Sequence, residues 1–433
     1  MQKVLSFTRR FLELILPVLL MAWCTVLLAQ KIDLPVADIG RHIKNGEIIV
    51  NSPRQDKWAV LKTNFYSYTE PNREFVNHHW LSGLVFYFVH HTFGFEGLSV
   101  FYILLVISAF FLFFRLAQKQ AGSPIAAVLA VFILPIIASR TEVRPEGFTY
   151  FFMAVFYWLL WRWRMGMINP KRLFLLPIII MFWVNLHIGF IFGFLILFVF
   201  WFRALIKFWQ TKKAGNLYFL SFIGFLCLLA GLINPFFIKG LFYPLNIFRE
   251  YGYLVVENQS VMFLERLAQG SKLYFSLFKF LLVLSFLSFF VRSFRQSGRA
   301  QFPYQDFLLL ASAGVLSLFA IRNFPVFGLL FLPIVSANIK SILPEFKHPA
   351  YKLMPVIVAA VVLIAGSFRF WERYQFSRET FGIGLKPQVN NAAEFFLSNH
   401  IRGPVFNNYD IGGYLVYYLY PAERVFTDNR PEA

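Results

Sequence analysis

Residues 34–50 read LPVADIGRHIKNGEIIV, directly after an apolar run at 11–30. Asp38, Arg41, His42, Lys44 and Glu47 crowd into this stretch, in a chain that is 58% hydrophobic and 15% charged. An apolar run of that length crosses the hydrocarbon core as a helix, so the charges begin where the chain leaves the membrane. Their role depends on which side they face.

Apolar runs recur along all 433 residues, and Phe alone supplies 57 of them. A soluble domain would not expose that much apolar surface. Eleven spans are predicted, at 11–30, 95–116, 122–138, 147–162, 172–187, 188–207, 216–235, 272–291, 304–320, 324–339 and 353–369. The fold class is thus an all-α polytopic membrane protein. Cys24 and Cys227 both lie in apolar runs, which excludes a disulfide framework or a CxxC metal site.

A cytoplasmic N-terminus places 19 Lys and Arg against three acids on the inner segments, out of a net charge of +19. That is the positive-inside pattern of short cytoplasmic loops. A nucleic-acid patch would not alternate with spans, so nucleic acid is excluded as a partner. The expected location is the inner (plasma) membrane, with the C-terminal tail extracytoplasmic.

The stretch VNHHWLSGLVFYFVHHTFG (76–94) has an apolar centre, Trp80 to Val89, too short for a span. It is predicted to lie as a helix on the outer surface. Counting it as a span would invert every later loop and put the basic clusters outside. A transmembrane domain then occupies 1–369, with a first outer loop at 31–94 holding two juxtamembrane helices, and residues 370–433 form the tail. All the acid-rich polar material falls on one side.

In the first loop, Asp38 is placed to cap a helix from Ile39 to Asn45, with Gly46 as its stop. Asp38, Arg41, His42 and Asn45 would share one face at three- and four-residue spacings. Two readings stay open. Asp38 is either only a cap, worth ~1 kcal/mol, or a general base or acid at the mouth of a cavity.

The stretch ADIGRHIKNGEIIV resembles the start of the first outer loop in membrane glycosyltransferases of the GT-C fold. The later TNFYSYTEPNREFVNHHWLSGLVFYFVHHTFG is similar to their second juxtamembrane helix, and SRTEVRPEGF to their charged second outer loop. The resemblance covers residues 1 to about 165 by motif, and the remainder by topology. It implies transfer of a sugar from a polyprenyl-phosphate carrier to a glycan, lipid or protein acceptor at the outer face. Asp38 matches the position of the family's catalytic carboxylate. Some members pair a second-loop acid with a divalent metal such as Mg or Mn. Here that pair would be Glu142 with Asp38, and no cofactor is fixed.

Such chemistry needs a base for a weakly nucleophilic hydroxyl and cations for a departing phosphate. Arg322, Arg140 and Arg144 are the candidate phosphate ligands, since the planar guanidinium donates two hydrogen bonds at once. Each is alternatively a headgroup anchor. Arg41, His42, His78, His79, Glu142, Asn185 and His187 are candidates for lining the substrate cavity. The histidine pair is alternatively interfacial polarity beside Trp80, and Glu142 and Glu146 are explained most simply as partners of Arg140 or Arg144. Asn185 and His187 stand in WVNLHIGF, where Gly189 permits close backbone approach.

In the tail, NNAAEFFLSNHI and YDIGGYLVYYLYP are predicted helical, and GPVFNN and RVFTDN extended, the start of a small α/β domain. The pattern breaks off at DNRPEA, which predicts further strand–helix alternation in a longer coding sequence; Asp428 is expected to be a turn residue. No GxGxxG or P-loop occurs, so a nucleotide-sugar donor or ATP drive is unsupported. The rival functions are an O-antigen polymerase or ligase, and a transporter or flippase of lipid-linked glycans.

Overall fold

The computed structural model describes residues 2–248, 255–295, 302–343 and 349–430. Parts of the basic segments expected to be cytoplasmic, at 296–301 and 344–348, and residues 249–254 and 431–433 lie outside them. Among the described residues the architecture is all-helical, with isolated β-bridges in place of strands.

A first helix, α1 (Gln2–Leu28), leads into the charged loop, which folds as α2 (Ile39–Asn51) and α3 (Arg54–Lys62). The long α4 (Trp80–Ala121) follows, then α5 (Ser123–Ile137), α6 (Glu146–Arg164), α7 (Leu175–Leu186), α8 (Ile191–Thr211) and α9 (Gly215–Gly231). Short α10 (Phe237–Phe242) and α11 (Val261–Arg266) lie between α9 and the next long helix. The chain continues through α12 (Lys272–Arg295), α13 (Tyr304–Phe319), α14 (Phe324–Ile342) and α15 (Pro349–Phe376), and ends in α16 (Asn391–Ser398) and α17 (Gly412–Leu419). Each of the eleven predicted spans falls on one of these helices. Trp80–Ala121, Ile188–Thr211, Lys272–Arg295 and Ile321–Ile342 are long and apolar enough to cross a membrane, and four shorter apolar helices accompany them.

The loop helices correct the sequence reading in two ways. First, α2 does not stop at Gly46 but runs on to Asn51. Gly46 is instead a contact point: a Cβ there would sit 2.3 Å from the carbonyl of Gly83, and one on Gly83 would sit 2.8 Å from the carbonyl of His42. Two backbones meet at these glycines, the close approach that small residues permit between helices. Second, residues 31–94 hold three helical stretches, α2, α3 and the start of α4, where two helices were expected.

Helix α4 is two helices merged across a kink. Gly94 has φ +67°, a left-handed conformation that glycine adopts without strain. Trp80–Phe93 therefore runs as its own segment against α2, and the span proper follows the kink. The kink falls at the boundary drawn in the sequence between residues 76–94 and the apolar run at 95–116. Buried α14 lies at the centre, packed on α4, α5, α12 and α13.

The tail does not stand apart. Helix α17 packs on α2, and bridges join Gln30 to Phe381, Ile32 to Leu385, and Ser67 to Val425. Both predicted tail helices form, while the extended pieces GPVFNN and RVFTDN meet only in the bridge Val405 to Val425. Asp428 is no exposed turn residue. It is buried and clamped by Arg430, whose Nε donates to Asp428 Oδ1 at 2.8 Å and whose Nη2 donates to Asn64 Oδ1 at 2.9 Å.

Candidate active site

Seven segments distant in sequence converge on one cavity of about 150 Å³. The N-terminus of α2 brings Asp38, Arg41 and His42, and the approach to α4 brings His78 and His79. Arg144 and Glu146 come from the α5–α6 loop and the start of α6, His187 from the α7–α8 junction, and Arg322 from the α13–α14 junction. Glu257 and Asn258, between α10 and α11, with Tyr409, Asn429 and Arg430 of the tail, complete the wall.

Asp38 opens α2 without capping it, since its side chain makes no cap hydrogen bond. The carboxylate faces other groups. Asn429 Nδ2 donates to Asp38 Oδ1, and Arg144 Nη1 stands 3.6 Å from Asp38 Oδ2. Asn429 also accepts from Arg41 Nε at 2.7 Å, so one tail amide holds a carboxylate and a guanidinium together. Arg41 is 6% exposed. Among the described residues no carboxylate pairs with it. Asn45, the fourth member of that helix face, accepts from Tyr66 Oη at 2.6 Å and packs into the loop core.

Behind this runs a chain of alternating charges. Arg144 reaches Glu257 at 2.5 Å and Glu142 at 2.6 Å, and Arg140 reaches Glu257 at 2.9 Å and Glu146 at 3.2 Å. Arg322 Nη2 closes the chain on Glu146 Oε1 at 2.8 Å, and its Nη1 donates to Asn258 Oδ1 at 2.8 Å. Burial would raise the carboxyl of Glu257, but Arg140, Arg144 and Arg322 outweigh it and hold it below the usual carboxylate range. Burial opposes the charge of Arg144 as well, and Asp38, Glu257 and Glu142 more than restore it. Every charge in this chain is fixed by an opposite one.

Beside the charges sit four imidazoles. His79 lies 3.8 Å from His78, 5.3 Å from His187 and 5.6 Å from His42, ring centre to ring centre. Burial, and then the nearby arginine and imidazole charges, hold His42 and His79 well below the ordinary histidine value. Burial likewise lowers His78 to about 4. These rings are therefore neutral hydrogen-bonding groups at neutral pH. Gly189 N–H donates to His187 Nδ1 at 3.0 Å, which makes Nδ1 an acceptor and leaves the proton on Nε2. Thr149 Oγ1 then donates to the same nitrogen at 2.7 Å, itself held by Trp183 Nε1. A Cβ on Gly189 would lie 2.3 Å from Thr149 Oγ1, so the close approach expected of this glycine serves the histidine.

Of the residues singled out in the sequence, Asp38, Arg41, His42, His78, His79, Arg144, His187 and Arg322 line the cavity. Arg140 stands one layer back, in the ion-pair chain. Glu142 is paired outside the cavity. Asn185 is a strut: it accepts from Trp80 Nε1 at 2.8 Å and donates to the carbonyls of Met181 and Ile233. Glu142 and Asp38 do not form a metal pair here, because the Arg144 guanidinium lies between them and engages both. Among the described residues no group of three His, Cys, Asp or Glu is arranged to hold a metal ion. Sequence reading missed Glu257, Asn258, Tyr409, Asn429 and Arg430. The tail signal was the polar run DNR after an extended segment; nothing local distinguishes Glu257 from the other loop acids.

No known family profile matches the chain, and no curated protein does. Among solved structures it is similar to the archaeal oligosaccharyltransferase AglB from Archaeoglobus fulgidus, determined in complex with an inhibitory peptide and a dolichol-phosphate. The TM-score is 0.61 at 11% identity, over 95% of this chain and 64% of that one. The chain thus spans just under two thirds of the length of that relative. At this identity the likeness establishes a shared fold, the GT-C fold of membrane glycosyltransferases.

Proposed function

We propose that the protein is a membrane glycosyltransferase that moves a sugar from a polyprenyl-phosphate-linked donor to an acceptor on the extracytoplasmic side. The observation that carries this reading is the meeting of Asp38 with Arg41, Arg144 and Arg322 around one cavity, within a GT-C fold. AglB, the similar structure, holds a dolichol-phosphate, which supports a lipid-phosphate donor. The eleven predicted spans and the basic excess on one set of loops support an outer placement of the cavity, in the plasma membrane, with the N-terminus cytoplasmic.

The chemistry follows from the groups present. Asp38 takes the proton of an acceptor hydroxyl as its oxygen attacks the anomeric carbon. The bond from that carbon to the phosphate oxygen breaks, and its electron pair leaves on the phosphate. Arg41 is the guanidinium best placed to meet that charge, because its partner in the cavity is a neutral amide. Arg322 also faces the cavity, anchored by Glu146 and Asn258. Arg144 and Arg140 hold the acids of the ion-pair chain in place, so their role is positional. Asn429 orients Asp38 from the tail. No step is routed through a metal, since Arg144 occupies the place between the two carboxylates that would bind one.

The test is envelope glycan analysis in the source cell lacking the gene, complemented by wild type or by Asp38→Asn. A glycan restored by wild type and not by the variant, at equal membrane protein levels, supports transfer. Restoration by both overturns the assignment of Asp38.

A further inference from the structure

One wall of the cavity takes no part in the proton and phosphate steps. His78, His79 and His187 build it, together with Tyr243. The backbone fixes which nitrogen of the outer two rings carries the proton. His78 Nδ1 lies 3.2 Å from the carbonyl oxygen of Val76, which can only accept, so Nδ1–H donates and Nε2 keeps its lone pair. His187 is the opposite case. Its Nδ1 accepts from the Gly189 N–H at 3.0 Å, so the proton sits on Nε2. Among the described residues neither Nε2 makes a hydrogen bond. The wall therefore holds one open acceptor and one open donor, on rings whose centres lie 3.8 and 5.3 Å from that of His79.

A partner that satisfies both rings must donate to one and accept from the other. A carboxylate only accepts and an ammonium only donates, whereas a hydroxyl, or two adjacent hydroxyls, does both. Two more nitrogens of this wall, His42 Nδ1 and His79 Nε2, are buried without a partner among the described residues. The wall thus carries more polar atoms than the chain around it satisfies, which calls for a ligand that hydrogen-bonds. The surroundings suit a carbohydrate. Tyr243 packs against His78 with ring centres 4.5 Å apart and planes tilted by 34°, and Phe75 and Ile188 also line the cavity. Such apolar and aromatic faces take the C–H face of a sugar while a few polar atoms read its hydroxyl edge. At about 150 Å³ the cavity falls short of the roughly 300–1,000 Å³ of a drug-sized pocket, which limits it to a single sugar ring.

We propose that His78 and His187 read the hydroxyl edge of an uncharged monosaccharide, the sugar carried by the lipid-phosphate donor, with the His78–Tyr243 pair against its apolar face. This role rests on the sugar-transfer reading, which supplies the donor. It makes the two histidines specificity residues, separate from Asp38 and from the arginines that meet the phosphate.

The experiment offers the full chain in detergent an equimolar mixture of a polyprenyl phosphate and the same lipid carrying glucose, mannose or galactose, one sugar at a time. Native mass spectrometry reads the ratio retained. Both lipids compete in one sample, so partial unfolding lowers them alike. Wild type is expected to favour the lipid bearing at least one of these sugars, and His78→Phe to lower that preference about fivefold, the weight of one neutral hydrogen bond. His78→Gln, which restores an amide near the place of Nε2, should keep most of it, and a packing role for the ring would not produce that rescue. Arg41→Ala should weaken both lipids and leave the ratio standing. Equal retention of plain and glycosylated lipid for all three sugars would overturn the proposal and give the hydroxyls to the acceptor. An unchanged ratio in His78→Phe overturns it equally. Retention of neither lipid by wild type would overturn the sugar-transfer reading, and this site with it.

Discussion

At the cavity end of α6, Arg140, Arg144 and Arg322 meet Glu146, Glu257 and Asp38, whereas at the far end Arg203 donates to the side-chain oxygen of Gln305, which it shares with Arg164, itself 3.6 Å from Asp306. The same residue type serves two purposes. A guanidinium locked between carboxylates is fixed in position and largely neutralised, and it orients its neighbours. One held by neutral acceptors keeps its charge for a ligand. By that criterion Arg41, bound through the amide of Asn429, is the member of the cavity that resembles Arg203, bound through the amide of Gln305.

The sharpest way to break this contrast is at Asp38. Asp38→Asn keeps the size and the Asn429 contact but removes the base, and it should slow sugar transfer by about 10²–10⁴-fold. Initial rates at matched protein levels check this; a rate near wild type would leave the carboxylate without a chemical role. Next in size is Glu257→Gln. It removes one link of the ion-pair chain, and breaking a buried pair costs about 3 kcal/mol at the low end of such losses. A clear fall in the melting temperature in detergent is expected, and an unchanged one would mean the chain of charges does not hold the site.

Arg41→Ala should weaken donor retention by about tenfold, the weight of a lost charge-assisted hydrogen bond, with Arg41→Lys intermediate. Titration of the purified protein with a polyprenyl phosphate measures it. Equal binding by all three would remove Arg41 from the phosphate site.

The smallest effect concerns pH. His78 is held at about 4 in the folded protein, against about 6.5 when unfolded. Below pH 6.5 the unfolded chain takes up a proton that the folded one refuses, so stability falls as pH drops from 6.5 towards 4 and levels off beneath it. His42 and His79, also depressed, add to the loss in the same direction. The depressed carboxyl of Glu257 adds its share only below about pH 4.5. His78→Gln should therefore flatten the part of the melting curve between pH 6.5 and 4.5. A slope that persists there unchanged would assign it to other groups.

The contrast between the two ends also explains what the sequence made legible. The apolar runs, the boundary between residues 94 and 95 and the helix that Asp38 opens are written in local patterns of apolarity, glycine and charge, each within a window of a few turns. Gly46 was misplaced as a helix stop because a glycine after a short helix looks the same whether it ends the helix or meets another backbone, and only the facing Gly83 distinguishes them. Asn429 lies 391 residues from Asp38 in the chain, and no periodicity links two such positions. Glu257 has the same difficulty. Its partners Arg140 and Arg144 were singled out by residue type, while their being neutralised depends on a loop that arrives from elsewhere. Residue type predicted which side chains approach the cavity. Charge balance, which decides what each can do there, needed the fold.

The central claim is that the cavity binds a polyprenyl-phosphate-linked sugar, with phosphate recognition and proton transfer assigned to separate residues. Native mass spectrometry of the detergent-purified protein and its Asp38→Asn and Arg41→Ala variants, each supplied with such a lipid, tests it directly. Retention by wild type and Asp38→Asn, with weakened retention in Arg41→Ala, is the predicted result. Retention of ordinary phospholipids alone, indifferent to both substitutions, would contradict it and leave Asp38 as no more than a partner of Asn429.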